Sequence, residues 1–98
     1  MEFGLFETLK KSISVPLVVH GGTGLKPEVF WKLISLGAAK INVSTAIKIA
    51  YCQGMRQYME KNPNQNNPLK LDSFVFDAVK QCVIEHMNLF RCAGRAWL

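Results

Sequence analysis

Two short segments of the chain carry residue types that can bind an anion. The first is the run HGGTG at residues 20–24, and the second is the run NVST at residues 42–45. Successive N–H groups of a glycine loop can point at one anion, and a helix N-terminus favours negative charge. Taken singly, the first segment could equally be a plain tight turn and the second an ordinary helix N-cap. Each is therefore a candidate phosphate site with a structural alternative.

The first segment begins with His20, one of two histidines in the chain. A neutral imidazole is a common metal ligand and acid–base group. No second His, Asp or Glu lies at metal-ligand spacing from it, so a hydrogen-bonded structural role stays open. The other histidine, His86, falls near the apolar stripe of a late helix, and we expect it to pack or to face water.

The elements that must position these segments follow from hydrophobic periodicity and from Pro and Gly. Residues 2–13 have helical spacing, and residues 17–19 form a β-branched apolar run typical of a strand buried on both faces. A second helix is predicted from Pro27 to Gly37, and a second strand over residues 39–43. This order predicts a βαβ unit with parallel strands.

Two longer helices are predicted after the second strand. Ser44 or Thr45 is expected to cap the first of them, and residues 62–68 form an exposed polar loop before the second. The second helix keeps helical spacing from Leu71 to Phe90. The buried stripe expected for the first helix is Ile47, Ala50, Tyr51, Met55, Tyr58 and Met59.

Two strands alone would leave sheet edges unpaired, so the architecture is incomplete as written. We therefore predict an α/β fold, in which residues 1–98 form a single unit that is the C-terminal fragment of a TIM (β/α)8 barrel. In such barrels phosphate sites recur at the carboxyl ends of the last strands.

Composition narrows the class of partner. The net charge is +5, but the basic residues are scattered, and only Lys10 and Lys11 are adjacent. We expect no nucleic-acid partner, because no basic run is interleaved with aromatic residues. Three cysteines without a CxxC pair predict reduced thiols and packing roles in the cytoplasm. No apolar stretch approaches the ~20 residues that span a bilayer, so no membrane association is expected.

Taken together, the two segments are far more specific than either alone. The run VPLVVHGGTGLKPEVFWKLISLGAAKINVSTAIKIA resembles class II fructose- and tagatose-bisphosphate aldolases, in which a His-Gly-Gly-Ser-Gly loop precedes an Asn-Val-x-Thr segment. The resemblance extends from about Phe6 to Ala96, where the tail FRCAGRA is similar to Phe-Gly-Ser-Ala-Gly-Lys-Ala.

The resemblance implies reversible cleavage of a ketose bisphosphate to dihydroxyacetone phosphate and an aldehyde. It implies zinc as the cofactor, a Lewis acid on the ketone, with His20 as one metal ligand. It also implies that Asn42 lies near the reacting carbons as a catalytic residue. The residues implied in holding the phosphate of the sugar or of dihydroxyacetone phosphate are Gly21, Gly22, Thr23, Asn42, Val43, Ser44 and Thr45.

The chain departs from the family pattern at several positions. Thr23 stands where the family has serine and keeps a hydroxyl, so the implied phosphate contact survives. Ala46 stands where an acidic residue is common, which puts a polar contact there in question. Arg91 and Cys92 replace a Gly-Ser pair, and we expect Arg91 and Arg95 to be solvated charges rather than phosphate ligands.

The length of the chain shapes the functional expectation. A (β/α)8 barrel needs ~250 residues, and the resemblance implies that the other metal ligands and the acid–base aspartate lie in an N-terminal part. We expect a fragment, a split product or a truncated reading frame, inactive alone, whose partner is another copy or the missing N-terminal part of the barrel. The alternatives are a non-catalytic phosphate-binding or oligomeric interaction module, and a gene remnant without function.

Overall fold

The computed structural model describes residues 2–22 and 24–95 of the chain. Within these residues the elements follow the predicted order, a βαβ unit and then two long helices. In chain order they are α1 (Phe3–Ser12), β1 (Leu17–Val19), α2 (Pro27–Ser35), β2 (Ala38–Ile41), α3 (Thr45–Lys61) and α4 (Pro68–Leu89).

The two strands pair in parallel, which confirms the predicted βαβ unit. Leu17 pairs with Ala38, Val18 pairs with Lys40, and the register shifts between them. The second strand is shorter than predicted, because it ends at Ile41 rather than at residue 43. The backbone N–H of Asn42 still donates a hydrogen bond to the Val19 carbonyl at 2.8 Å before the chain turns towards α3.

Only one face of β1 is covered, so the prediction of a strand buried on both faces was wrong. Val19 is buried, whereas Val18 on the opposite face is 43% exposed. The helix α2 packs on the sheet at β2, and its Phe30 and Leu33 are 3% and 1% exposed. The other face is open because the described residues supply no second layer over it.

Proline and glycine bound α2 as predicted. Pro27 occupies the first turn, where its missing N–H costs no helical hydrogen bond. Gly37 follows the helix with φ +108°, and a Cβ there would lie 2.7 Å from Lys10 Cε. The positive φ favours glycine at this position, whereas the flexible end of the Lys10 side chain could move aside.

The helices α3 and α4 form a hairpin that packs closely through small residues. A Cβ on Gly54, which is buried, would lie 2.9 Å from Ala78 Cβ. Nearby, the rings of Tyr58 and Phe74 have centroids 5.5 Å apart, and Val75 is buried. Asn67 caps α4 by accepting a hydrogen bond from the backbone N–H of Leu69 at 3.0 Å, so the helix starts three residues before the predicted Leu71.

Part of the stripe predicted as buried on α3 is exposed. Tyr51 and Met59 are 47% and 56% exposed, so their predicted burial was wrong. The reason is that α3 packs chiefly on α4, and a single helical neighbour covers only a narrow strip. Cys52 and Cys92 are also exposed, against the expected packing role.

The end of α4 returns to α2 and joins the hairpin to the βαβ unit. The rings of Phe30 and Phe90 meet edge to face at 5.0 Å, and Trp31 Nε1 donates a hydrogen bond to the Leu89 carbonyl at 2.9 Å.

The molecule is elongated, with extents of 58 × 30 × 21 Å. No helix in the described residues is both long and apolar enough to cross a membrane.

Candidate functional site

The ends of the two parallel strands bring His20 and Asn42 into contact. Each residue directly follows its strand, so both lie at the carboxyl edge of the sheet. Asn42 Nδ2 is 3.2 Å from His20 Nδ1 and 3.4 Å from Nε2. The amide can donate to whichever ring nitrogen carries no proton, and it thereby orients the ring. The hydrogen bond from Asn42 to Val19 fixes the backbone beneath this contact.

The glycine loop after His20 has the tight geometry that its sequence predicts. Gly21 and Gly24 have φ of +69° and +87°, in the left-handed region that favours glycine. Gly22 is buried, because a Cβ there would lie 2.8 Å from Phe30 Cε1 and 3.6 Å from Ile41 Cγ2. Ile41 directly precedes Asn42, so the loop lies beside the second segment.

The second segment leads into the N-terminus of α3. Ser44 holds the N-cap position, but its side chain makes no capping hydrogen bond, so that part of the cap prediction was wrong. Thr45 begins the helix, and the side chains of both residues are exposed. Val43 is half-buried. Two hydroxyl groups and a helix N-terminus therefore adjoin Asn42, an arrangement that suits an anion.

Among the predicted site residues, the structure brings together His20, Gly22 and Asn42 at one rim. Thr23 lies outside the described residues. No group of three His, Cys, Asp or Glu side chains that could hold a metal ion occurs in residues 2–22 and 24–95. His86 interacts with its own helix, since its Nδ1 is 2.8 Å from the Cys82 carbonyl oxygen.

Arg91 has a contact that the sequence analysis did not predict. Its guanidinium lies 4.3 Å from the centre of the Trp31 ring, and its backbone has φ +58°. A cation over an aromatic ring is an attractive arrangement. The helical periodicity gave no signal for this pair, because Trp31 and Arg91 lie on separate elements.

The chain is similar in sequence to known proteins of one family. Residues 1–95 match the family model of fructose-bisphosphate aldolase class-II. The chain is 39% identical over 94 residues to a fructose-bisphosphate aldolase from Geobacillus stearothermophilus, covering 96% of this chain and 33% of the relative. It is 32% identical over 93 residues to the D-tagatose-1,6-bisphosphate aldolase subunit GatY from Klebsiella oxytoca, covering 95% and 33%.

A solved structure shares the fold. The crystal structure of the YdjI aldolase from Escherichia coli K12 matches with a TM-score of 0.79 and 35% sequence identity. The match covers 96% of this chain and 35% of that one. The chain therefore spans about a third of the length of the relatives it matches.

Proposed function

The chain belongs to the class II fructose-bisphosphate aldolase family, and on that basis we propose that it forms the phosphate-binding rim of a ketose-bisphosphate aldolase. The reaction is the reversible aldol cleavage of fructose or tagatose bisphosphate to dihydroxyacetone phosphate and an aldehyde. The chain forms the last part of a (β/α)8 barrel, and the remaining two thirds of the barrel complete the active site.

The contact between His20 and Asn42 carries this proposal. In parallel α/β proteins, ligands bind beyond the carboxyl ends of the strands, which is where these two side chains meet. The imidazole is exposed, so its ring nitrogens can reach a ligand. Asn42 is near enough to orient the imidazole and to donate a hydrogen bond to a substrate oxygen beside it.

Phosphate binding follows from the backbone on either side of this pair. Gly21 can approach a phosphate closely because it lacks a Cβ atom and open space surrounds it, and Gly22 would contribute its backbone N–H. Ser44 and Thr45 add hydroxyl donors at the N-terminus of α3, where the helix dipole favours negative charge. Thr23 and Val43 complete the set, Thr23 through its hydroxyl and Val43 through its backbone N–H.

The residues of this chain can supply only part of a zinc site. Catalytic zinc takes three protein ligands and an open position, and residues 2–22 and 24–95 contain no group of three His, Cys, Asp or Glu side chains that could hold it. His20 fits as one ligand, since imidazole is a common zinc ligand and the ring is exposed. Zinc, when bound, polarises the ketone oxygen of the substrate. We propose that the chain by itself is inactive and that the remaining ligands and the acid–base group belong to the rest of the barrel.

Titration with a triose phosphate tests the binding role without requiring catalysis. Dihydroxyacetone phosphate is added to the ¹⁵N-labelled chain, and amide shifts are followed by NMR. We expect weak, saturable shifts at Gly21, Gly22 and residues 43–45, and none with dihydroxyacetone, because the phosphate supplies the charge. Ser44→Ala should weaken binding severalfold through loss of one hydroxyl donor.

Ser35→Ala is the matched control. The Ser35 hydroxyl bonds the Lys32 carbonyl at the end of α2, so its loss should leave phosphate binding unchanged. Shifts confined to residues outside the two segments, or equal effects of the two serine variants, would contradict the proposed site.

A non-catalytic phosphate-binding module is the second candidate function. The observation that favours it is that the two phosphate-binding segments adjoin at one rim, whereas the described residues contain no group of three side chains that could hold a metal ion. Such a module would bind sugar phosphates through the same two segments without cleaving them. It would show the same amide shifts with dihydroxyacetone phosphate. Adding the rest of an aldolase barrel to it would produce no cleavage activity.

A further inference from the structure

The C-terminal end of α4 closes with a hydrogen-bonding pattern that usually contains glycine. The backbone N–H of Cys92 donates to the Met87 carbonyl, and that of Arg91 donates to the Asn88 carbonyl, each at 3.1 Å. These two bonds define a Schellman motif, in which the residue after the helix cap is left-handed and is most often glycine. Arg91 occupies that position with φ +58°, and it is the one non-glycine residue of the described part of the chain with a positive φ. A side chain there raises the energy of the backbone.

The indole of Trp31, on α2, contacts both sides of this helix end. Its ring centre lies 4.3 Å from the Arg91 guanidinium, and a cation over an aromatic face is attracted to it. Its Nε1 donates a hydrogen bond to the Leu89 carbonyl at 2.9 Å. That carbonyl belongs to the last turn of α4, where the helix itself supplies no partner. Leu89 and Arg91 therefore hold one side chain of α2 at its N–H edge and at its face.

The residue between them, Phe90, links the same helix end to the glycine loop. Its ring meets Phe30 edge to face at 5.0 Å, and Phe30 directly precedes Trp31 on α2. A Cβ on Gly22 would lie 2.8 Å from Phe30 Cε1 and 3.2 Å from Cζ, so the ring lies against the loop. A glycine-rich segment has the most backbone freedom, and packing on the Phe30 ring restricts it. The position of α2 therefore affects where the Gly22 N–H lies.

A cap that served only the end of α4 would favour glycine at position 91. Glycine takes a left-handed conformation without steric cost, and the aldolase pattern has glycine at this place. Arginine strains the backbone, and its side chain adds a contact with Trp31. That contact acts on α2, so its effect extends beyond the helix that Arg91 ends.

We propose that Arg91 is a positioning residue for the phosphate loop. Its contact with Trp31 holds α2 against the end of α4, so that Phe30 stays packed on Gly22 and the Gly22 N–H keeps the direction that a phosphate requires. The inference rests on the proposed phosphate-binding function, and it assigns to Arg91 an effect on affinity that needs no contact between its guanidinium and the phosphate.

Substitution of Arg91 by glycine separates positioning from stability. Arg91→Gly removes the contact with Trp31 but suits φ +58°, so the urea midpoint of the whole chain should stay close to the wild-type value. The dissociation constant for dihydroxyacetone phosphate, measured by amide titration, should rise about two- to fivefold, the factor that corresponds to an exposed cation–π contact. The Gly22 amide resonance of the free chain should also shift. A contact that served stability alone would leave the dissociation constant unchanged.

Arg95→Gly is the matched control. It removes the same charge four residues later, from an exposed residue that lies over no aromatic ring in residues 2–22 and 24–95. Its dissociation constant should equal that of the wild-type chain. Trp31→Leu should weaken binding, and adding Arg91→Gly to it should change the dissociation constant no further, because the ring on which the guanidinium acts is already absent.

The outcomes distinguish this inference from the function on which it rests. An Arg91→Gly chain with the wild-type dissociation constant overturns the inference, as does an equal loss in Arg95→Gly or a further loss when Arg91→Gly is added to Trp31→Leu. A wild-type chain that binds no dihydroxyacetone phosphate overturns the proposed function instead. In that case an unshifted Gly22 amide in Arg91→Gly also overturns the hold of Arg91 on the loop, and a shifted one supports it.

Discussion

At the residue scale, the residues at the carboxyl edge of the sheet are held in place for different reasons. His20 and Asn42 directly follow their strands, and their side chains touch at the sheet edge, where His20 is exposed and Asn42 is half-buried. This accessibility is what the chemical roles proposed for them require. Gly22 is positioned by packing, because its missing Cβ makes room for the ring of Phe30. The loop therefore needs glycine for the core as well as for any approach to a ligand.

Gly22→Ala should destabilise the chain. The added Cβ would lie 2.8 Å from Phe30 Cε1, and that ring is 3% exposed and held against Phe90, so it cannot swing aside freely. Overpacking of this kind costs about 1–3 kcal/mol. Urea unfolding followed by circular dichroism measures the change.

Gly4→Ala is the control for that experiment. Gly4 is the second residue of α1 and has open space around its Cα, so a methyl group there should not lower the free energy of unfolding. Equal losses of stability in both variants would show that the Phe30 contact is not responsible.

At the element scale, α3 and α4 depend on one close approach. Gly54 and Ala78 let the two helices meet, and the aromatic pair Tyr58 and Phe74 packs nearby. Glycine lowers the helical propensity of α3 by about 1 kcal/mol relative to alanine, so its presence mid-helix indicates a packing requirement.

Gly54→Ala should therefore destabilise the hairpin despite the better propensity. Its Cβ would lie 2.9 Å from Ala78 Cβ, and neither atom can rotate away, so the overpacking cost of about 1–3 kcal/mol should exceed the propensity gain. Adding Ala78→Gly exchanges the two residues and should bring the free energy of unfolding back to near the wild-type value. Simple additivity of the two single changes would contradict the contact.

At the scale of the whole molecule, the chain has little interior for its length. Four apolar side chains are buried within the described residues, whereas large apolar residues are exposed on α1, β1, α3 and α4. A surface of this kind is typical of a piece that buries its faces against further polypeptide. We propose that the open face of β1 packs against the rest of a barrel.

Complementation tests that proposal. The chain is produced together with the part of the Geobacillus stearothermophilus aldolase that precedes the region similar to it, and zinc-dependent cleavage of fructose 1,6-bisphosphate is measured. We expect no cleavage by the chain alone and measurable cleavage by the pair, because the added part supplies the remaining metal ligands. His20→Ala should abolish cleavage by the pair.

His86→Ala is the matched histidine control, since His86 bonds its own helix and should leave the rate of the pair close to wild type. Cleavage by the chain alone would contradict its predicted inactivity. A stable pair whose activity survives His20→Ala would contradict the role of that histidine.

The sequence by itself determined the element order, the parallel βαβ unit, the glycine turn and the family, because these depend on local periodicity, on positive φ and on short motifs. Only the tertiary structure decided that Asn42 touches His20, that Gly22 backs onto Phe30, and that Tyr51 and Met59 stay exposed. The physical reason is that periodicity shows which side of an element is apolar, but burial depends on a neighbour far along the chain. In the described residues, α3 packs chiefly on α4, and only one face of β1 is covered. Several side chains of the apolar pattern therefore have no neighbour to bury them.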